Sequence, residues 1–318
     1  MAESRPKVWV SQPLFDDIVE RLHAHFDVLQ VPDVGEHDAS AIADAPRLRA
    51  VANVGVGYNN LDIDALHARG IVATNTPDVL TETTADFGFA LMMAAARRVT
   101  EAERHLRAGR WQGWNFKGLL GADLHGSTLG ILGMGRIGQG IARRASGFDM
   151  RVIYHNRSRL PADVERAFNA TYVDFDTLFA EADHLVLVLP YSAATHHIVD
   201  AAALAKMQPT ATLTNIARGG IVDEAALADA LERGRLASAA LDVFEGEPAV
   251  NPRLLALDTL VLTPHIASGS LATRRAMVAL AVDNLIAALG AGPDAGRPPT
   301  PIRPAAIDGE DAKRPGTA

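Results

Sequence analysis

The sequence contains no cysteine. Disulfides, thiolate nucleophiles and thiolate-ligated zinc are therefore excluded, while the compartment is left open. It also lacks a long apolar run: the longest, residues 87–96, is too short to cross a bilayer and is closed by Arg97 and Arg98. The opening decapeptide, MAESRPKVWV, holds no signal-peptide core and leads straight into a strand-like run. A cytoplasmic protein with no membrane partner is the expectation. Positive charge is in deficit as well, with 30 Lys and Arg against 38 Asp and Glu and a formal charge of −8. That disfavours a general nucleic-acid surface. It does not exclude an anionic substrate, because a local arginine overrides the global field. No metal site is assigned.

What is present is ordinary globular composition, 48% hydrophobic and 21% charged over 318 residues, enough for two domains with full cores. Short apolar runs alternate with amphipathic stretches of helical length. Residues 7–10, 27–31, 50–54 and 71–74 read as buried strands, and 13–25 as a helix. Residues 85–110 read as one long helix or two in series, since neither Gly nor Pro falls between Phe89 and Ala108. From Ser127 the alternation restarts, with strands expected at 151–154, 170–173, 184–189, 210–215, 239–243 and 259–262 and a last helix at 271–289. Strands alternating with helices predict an α/β protein whose parallel sheets are covered on both faces. The end of the chain, from about Ile307, is expected to be disordered, because it is rich in Pro and Gly and poor in apolar residues.

The most informative local pattern is Gly133-Met134-Gly135-Arg136-Ile137-Gly138, a G-x-G-x-x-G between a strand, TLGIL, and a helix, IGQGIARRA. The first glycine serves the tight turn, the second lets backbone approach a pyrophosphate, and the third lets the helix pack closely. The helix N-terminus then offers N–H groups and a positive dipole end to the phosphates. About twenty residues on, an acid would bond the adenosine ribose. The sequence has Asn156 there, followed by Arg157 and Ser158, which suit a 2′-phosphate. NADP(H) is therefore expected over NAD(H), without excluding the latter.

Three polar residues follow strands of this second block: Arg218 in TNIARGGIVDE, Glu247 in ALDVFEGEP and His265 in LTPHIASGS. Strand carboxyl ends are where open α/β sheets bind ligands. An arginine can grip a carboxylate or polarise a ketone, and a histidine can supply a proton near neutral pH. A carboxylate beside that histidine favours the imidazolium. The three together suit reduction of a 2-keto acid.

The chain resembles the D-isomer-specific 2-hydroxyacid dehydrogenases, and within them the glyoxylate/hydroxypyruvate (2-ketogluconate) reductases. NVGVGYNNLDID, NTPDVLTETTAD, TLGILGMGRIGQGIA, NIARGGIVDEAAL, ALDVFEGEP and PHIAS carry the likeness. The resemblance implies two doubly wound parallel-sheet domains with the active site in the cleft between them. A flavodoxin-like substrate domain would take residues 1–98 and 287–318, and a Rossmann dinucleotide-binding domain 99–286, with the helix after Leu271 crossing back. It implies Arg218, Glu247 and His265 as the catalytic trio, and the backbone N–H groups of Val54, Gly55, Val56 and Gly57 as holders of the substrate carboxylate. Around the cofactor it implies Thr76, Met134, Arg136, Ile137, Leu189, Pro190, Ile216, Ala217, Arg218, His265 and Ser268, with Asp242 near the nicotinamide amide. A homodimer resting on the helical region from Ala85 is implied too. Trp111, Trp114 and Phe116 would either reach a cleft or pack beneath the connection between domains. Two other readings stay open: a relative acting on phosphite or 3-phosphoglycerate, and a corepressor-like dinucleotide sensor without turnover.

Overall fold

The computed structural model describes residues 5–30 and 45–304. Strand β1 (Lys7–Val10) alternates exposed and buried residues, and helix α1 (Asp16–His23) buries Ile18, Val19 and Leu22 along one face. β1 pairs in parallel with β2 (Asp27–Gln30). Strand β3 (Ala50–Ala52) is followed by helix α2 (Ile63–Ala68), whose cap Asp62 accepts the Ala65 N–H, and then by strand β4 (Val72–Thr74), which pairs in parallel with β3. Among the described residues these are two separate two-stranded sheets. Strand β3 stops short of Val54, and the expected end of β2 at Val31 lies outside the described residues.

The region expected to hold one helix or two in series is two. Helix α3 (Thr81–Ala96) begins earlier than the apolar pattern suggested, and helix α4 (Val99–Arg107) follows it. They are separated because Arg98 takes a left-handed φ of 54°, which no helix can continue. Its guanidinium then bonds both Glu101 oxygens at 2.6 Å. No helix among the described residues is long and apolar enough to cross a membrane.

The remaining strands are β5 (Thr128–Leu132), β6 (Arg151–His155), β7 (Ala170–Tyr172), β8 (His184–Leu187), β9 (Thr212–Asn215), β10 (Ser238–Leu241) and β11 (Leu260–Leu262). They form one parallel sheet in the order β11-β10-β9-β8-β5-β6-β7. Interleaved with them are helices α5 (Arg136–Ala145), α6 (Ala162–Ala167), α7 (Phe175–Glu181), α8 (Ala201–Leu204), α9 (Glu224–Glu232) and α10 (Pro252–Leu255). Side chains alternate between two cores, as a pleated strand requires. Ile131, Val152, Tyr154, Val186, Ala240 and Val261 join Phe89 and Met92 of α3 and Ile141 of α5 on one face. Leu132, Ile153, Leu185, Leu187, Leu213 and Leu241 join Leu178 and Phe179 of α7 and Leu227 of α9 on the other. Strands buried on both faces read as near-continuous apolar runs, interrupted here by buried Thr212, Thr214 and Asn215 in β9. The chain leaves β5 toward β6 on one side and returns to β8 on the other, so the switch point lies at their carboxyl ends.

The chain divides into two compact units: the described residues up to Val79 with those from Leu271, and Leu80–Ser270. Both boundaries therefore differ from the expected 98/99 and 286/287. The first moves because α3 is buried in the core of the large sheet, not in the N-terminal unit. The second moves because helix α11 (Leu271–Ala288) already packs Val278, Val282 and Ile286 against Ile18, Val19 and Leu22 of α1. The disorder expected from about Ile307 lies outside the described residues.

One buried amide anchors α11. Asn284 is fully buried, donates to Thr300 Oγ1 at 2.7 Å and to the Asn75 carbonyl at 3.3 Å, and accepts the Thr300 N–H at 2.8 Å. Asn284→Ala would leave buried donors and acceptors unpaired and is expected to lower stability by roughly 2–4 kcal/mol. A shift in the urea midpoint at unchanged slope checks this.

Candidate active site

The three strand ends singled out in the sequence belong to neighbouring strands β9, β10 and β11. After β9 the chain is turned by Asn215, whose Oδ1 accepts the Ala217 N–H at 3.0 Å and whose Nδ2 donates to the Arg218 carbonyl at 2.8 Å. Arg218 is extended there, with φ −151° and ψ 150°. Its Nη1 donates to the Ala217 carbonyl at 2.7 Å. The next residue must be glycine. A Cβ at Gly219 would lie 1.8 Å from the Phe244 carbonyl carbon, so the loops after β9 and β10 meet backbone to backbone.

The loop after β10 carries Glu247. Its Oε1 accepts the Phe244 N–H at 2.8 Å, and its Oε2 accepts from His265 Nδ1 at 2.8 Å. Burial pushes this carboxyl up, but the bonds from His265 and Phe244 and the charges of His265 and Arg218 outweigh it and hold Glu247 below the usual glutamate range. An ionised Glu247 can only accept, so Nδ1 carries a proton. The partly exposed His265 ring is left with Nε2 unpartnered among the described residues.

The loop after β11 presents that ring. His265 takes a left-handed φ of 53° and donates its N–H to the Asp242 carbonyl at 2.8 Å. The fully buried Asp242 carboxylate accepts from Thr263 Oγ1 at 2.7 Å, Ile266 N–H at 2.9 Å and Ala267 N–H at 2.8 Å. Asp242, expected beside the nicotinamide, thus has both oxygens engaged in shaping the His265 loop. Ser268 follows in the same loop, partly exposed.

At the glycine fingerprint each glycine answers a different constraint. Gly133 has φ 101°, and a Cβ there would lie 2.6 Å from the Leu189 nitrogen. A Cβ at Gly138 would meet the Gly133 carbonyl oxygen at 2.6 Å, whereas one at Gly135 would meet nothing within 4 Å. Gly135 therefore faces open space at the head of α5. No side chain caps that helix, and its first internal bond is Gln139 N–H to the Gly135 carbonyl at 2.8 Å. The N–H groups of Ile137 and Gly138 have no acceptor within the helix. Open access, N–H groups outside the helix ladder and the positive end of the helix dipole fit the pyrophosphate of a dinucleotide.

Asn156 was expected to face the cofactor, but its Oδ1 accepts the Met134 N–H at 2.6 Å and ties β6 to the glycine loop. Arg157 and Ser158 beyond it are exposed. Arg159 is committed elsewhere, to both Glu165 oxygens at 2.8 Å. Tyr154 donates to the same glutamate, and burial together with that bond pushes its phenol up to about 12. Arg157 thus remains as the arginine of this turn without a carboxylate partner among the described residues. Of the other expected cofactor neighbours, Met134, Ile216 and Ala217 are buried, Ile137 and Leu189 are partly buried, and Arg136 and Pro190 are exposed.

In the other unit, the loop Val54, Gly55, Val56 and Gly57 has its carbonyls turned inward. Gly55 O accepts the Thr76 N–H at 2.9 Å, Val56 O accepts from Asn75 Nδ2 at 2.9 Å, and Gly57 O accepts from Asn53 Nδ2 at 2.9 Å. None of the four N–H groups donates to another described residue, so they are available to an anion. Thr76 is fully buried, and its Oγ1 has no hydrogen-bond partner among the described residues. Trp111, Trp114 and Phe116 are 61%, 76% and 80% exposed, which rules out packing beneath a connection. The rings of Trp114 and Phe116 touch edge to face.

Two parts of this arrangement escaped the sequence. Glu224, buried in the first turn of α9, accepts the Glu245 N–H at 2.7 Å and braces the loop that carries Glu247. Burial pushes its carboxyl up. In sequence it reads only as an acid complementing a helix dipole. The turn-shaping role of Asn215 likewise has no local signature.

Comparison with known proteins agrees with this architecture. Residues 89–267 match the profile of the D-isomer specific 2-hydroxyacid dehydrogenase, NAD binding domain. The chain is 48% identical over 254 residues to a glyoxylate reductase of Pyrococcus horikoshii, covering 79% of this chain and 76% of that one. It is 45% identical over 305 residues to glyoxylate/hydroxypyruvate reductase B of Pectobacterium atrosepticum, covering 90% and 95%. Among solved structures, an NADPH-dependent glyoxylate/hydroxypyruvate reductase of Sinorhizobium meliloti, in complex with NADP and malonate, superposes with a TM-score of 0.83 at 37% identity, covering 94% of this chain and 97% of that one. The chain therefore belongs to the D-isomer-specific 2-hydroxyacid dehydrogenases.

Proposed function

We propose that this protein reduces a small 2-keto acid, glyoxylate, hydroxypyruvate or a close analogue, to the D-2-hydroxy acid, with NADP(H) preferred and NAD(H) accepted. The observation that carries the reading is the His265–Glu247 pair, with Nδ1 fixed on the carboxylate at 2.8 Å and Nε2 left for proton exchange. The bound dinucleotide supplies the hydride. Arg218 grips the substrate carboxylate or ketone oxygen and stabilises the charge that grows there during reduction. The His265 imidazolium delivers a proton to that oxygen from Nε2, and Glu247 stabilises the charged ring and holds its orientation. In oxidation the neutral ring takes the proton back. The N–H groups of the Val54–Gly57 loop suit the substrate carboxylate. The activities for which the similar proteins from Pyrococcus and Pectobacterium are named support the substrate class.

Following NADPH oxidation over glyoxylate, hydroxypyruvate, pyruvate, phenylpyruvate and 2-ketogluconate tests the reading, and no turnover on all five overturns it. His265→Ala is expected to lose about 10²–10⁴ in kcat, the usual contribution of a positioned acid, while the NADPH Kd from fluorescence titration is retained. Near-normal turnover would remove His265 from the proton-transfer role.

The NADP(H) preference rests on Asn156 standing where an acid would repel a 2′-phosphate, and on exposed Arg157 and Ser158 beside it. The Sinorhizobium neighbour, described as NADPH-dependent, agrees with it. Arg157→Ala is expected to raise the KM for NADPH about tenfold or more, the worth of one charge-assisted hydrogen bond, and to leave the KM for NADH unchanged. Equal effects on both cofactors would refute the assignment.

A homodimer completes the proposal, because Leu106, Trp111, Trp114, Phe116 and Leu120 crowd exposed apolar surface into one stretch of chain. Light scattering should give a mass near twice 33.8 kDa, and Trp114→Glu should lower it toward that of one chain.

A further inference from the structure

Outside the residues assigned to reduction, the large unit gathers two imidazoles and a carboxylate from distant parts of the sequence. His196 and His197 lie in the segment after β8, and Glu245 in the loop after β10. Their ligand-capable atoms all fall within 4.8 Å of one another. His197 Nε2 stands 3.0 and 3.1 Å from the two Glu245 oxygens. Donors about 2.0–2.2 Å from a tetrahedral ion are separated by roughly 3.3 Å, so the His197–Glu245 edge already has that spacing. The His196 ligand atom lies within 4.8 Å of both and has to leave the ring stack to complete the third position.

The surroundings fix these groups. The His196 and His197 rings stack with centroids 3.9 Å apart and planes 22° from parallel. His196 Nδ1 lies 3.1 Å from the Tyr191 hydroxyl. Ligating histidines commonly anchor their second nitrogen in this way, and a proton on Nδ1 leaves the Nε2 lone pair for an ion. The His197 backbone is held in a left-handed conformation, φ 49°, by its N–H bond to the Gly220 carbonyl at 2.8 Å. Gly220 itself leaves room: a Cβ there would meet the Tyr191 ring at 2.8 Å and His196 Nδ1 at 3.3 Å. The Glu245 backbone is pinned by buried Glu224 at 2.7 Å.

We propose that His196, His197 and Glu245 form a binding site for a divalent transition-metal ion of the zinc class. Two imidazoles and one carboxylate favour zinc, cobalt or nickel over calcium or magnesium, which prefer all-oxygen cages. The site lies outside the reduction machinery. Glu245 nevertheless stands two residues before Glu247, so a bound ion clips the segment after β8 to the loop that carries the partner of His265. The ion acts as a brace and takes no part in proton or hydride movement.

The test uses the full chain without a polyhistidine tag, stripped with a chelator and titrated with Zn²⁺ by calorimetry and with Co²⁺ by visible absorption. One equivalent is expected, with a Co²⁺ spectrum of nitrogen–oxygen ligation and a thermal midpoint that rises with Zn²⁺. His197→Ala should abolish that equivalent, Glu245→Gln should weaken it, and Tyr191→Phe should weaken it roughly tenfold, as loss of an outer anchor does. Circular dichroism and the metal-free thermal midpoint of each variant establish that it folds. No uptake by the wild-type chain at 100-fold excess Zn²⁺ overturns the proposal and leaves an ordinary ion pair. Undiminished uptake by the His196→Ala/His197→Ala double variant also overturns it, by placing the ion elsewhere. Neither readout depends on turnover, so failure here is distinguishable from failure of the proposed reductase activity.

Discussion

The Asp242 carboxylate governs the working edge of the large sheet. A buried pair of carboxyl oxygens is costly unless its lone pairs are filled. Here Thr263, Ile266 and Ala267 fill them, all from the loop after β11. Satisfying the carboxylate therefore dictates the path of that loop, and the path forces His265 into a left-handed backbone that aims its ring at Glu247. Orientation of the proposed acid is thus set by a group that need not touch substrate at all. Glu224 does the same for the neighbouring loop through the Glu245 N–H. Two buried carboxylates, one after a strand and one in a helix's first turn, hold the loops on which the exposed chemistry sits.

Much of this was legible in the sequence, for identifiable reasons. Strands β5 to β11 could be placed because a strand covered on both faces is apolar at most positions, and the runs stand out between amphipathic helices. The glycine fingerprint was legible because each of its constraints, a positive φ at Gly133, a close approach at Gly138 and open space at Gly135, admits no side chain or needs none. Arg218, Glu247 and His265 stood out as polar residues directly after apolar strands. Several strand ends were read too long, since apolar residues such as Val188 and Val243 continue past the last paired residue into the turns, whereas β6 runs one residue further than expected, to His155.

What was not legible depends on contacts distant in sequence. The all-round apolar character of α3 says that it is buried but not in which unit, and the domain boundary was misplaced for that reason. The break at Arg98 has no Gly or Pro to announce it. Asn156 could be seen to replace an acid, but not to bond the Met134 N–H of the glycine loop. Asn284 and Thr300 meet across a helix and a return segment that no local pattern connects. Likewise, His196 and His197 are plain in the sequence, whereas Glu245 becomes their neighbour only through the parallel stacking of β8, β9 and β10.

The contact at Gly219 joins the loops after β9 and β10 into one mechanical body, because no atom fits between them. Lengthening either loop by a residue would displace Arg218 and Glu247 together. Variation that retunes the substrate must therefore enter where side chains face solvent, while this seam tolerates neither insertion nor bulk. The seam is an inheritance constraint: the two loops can diverge only as a pair.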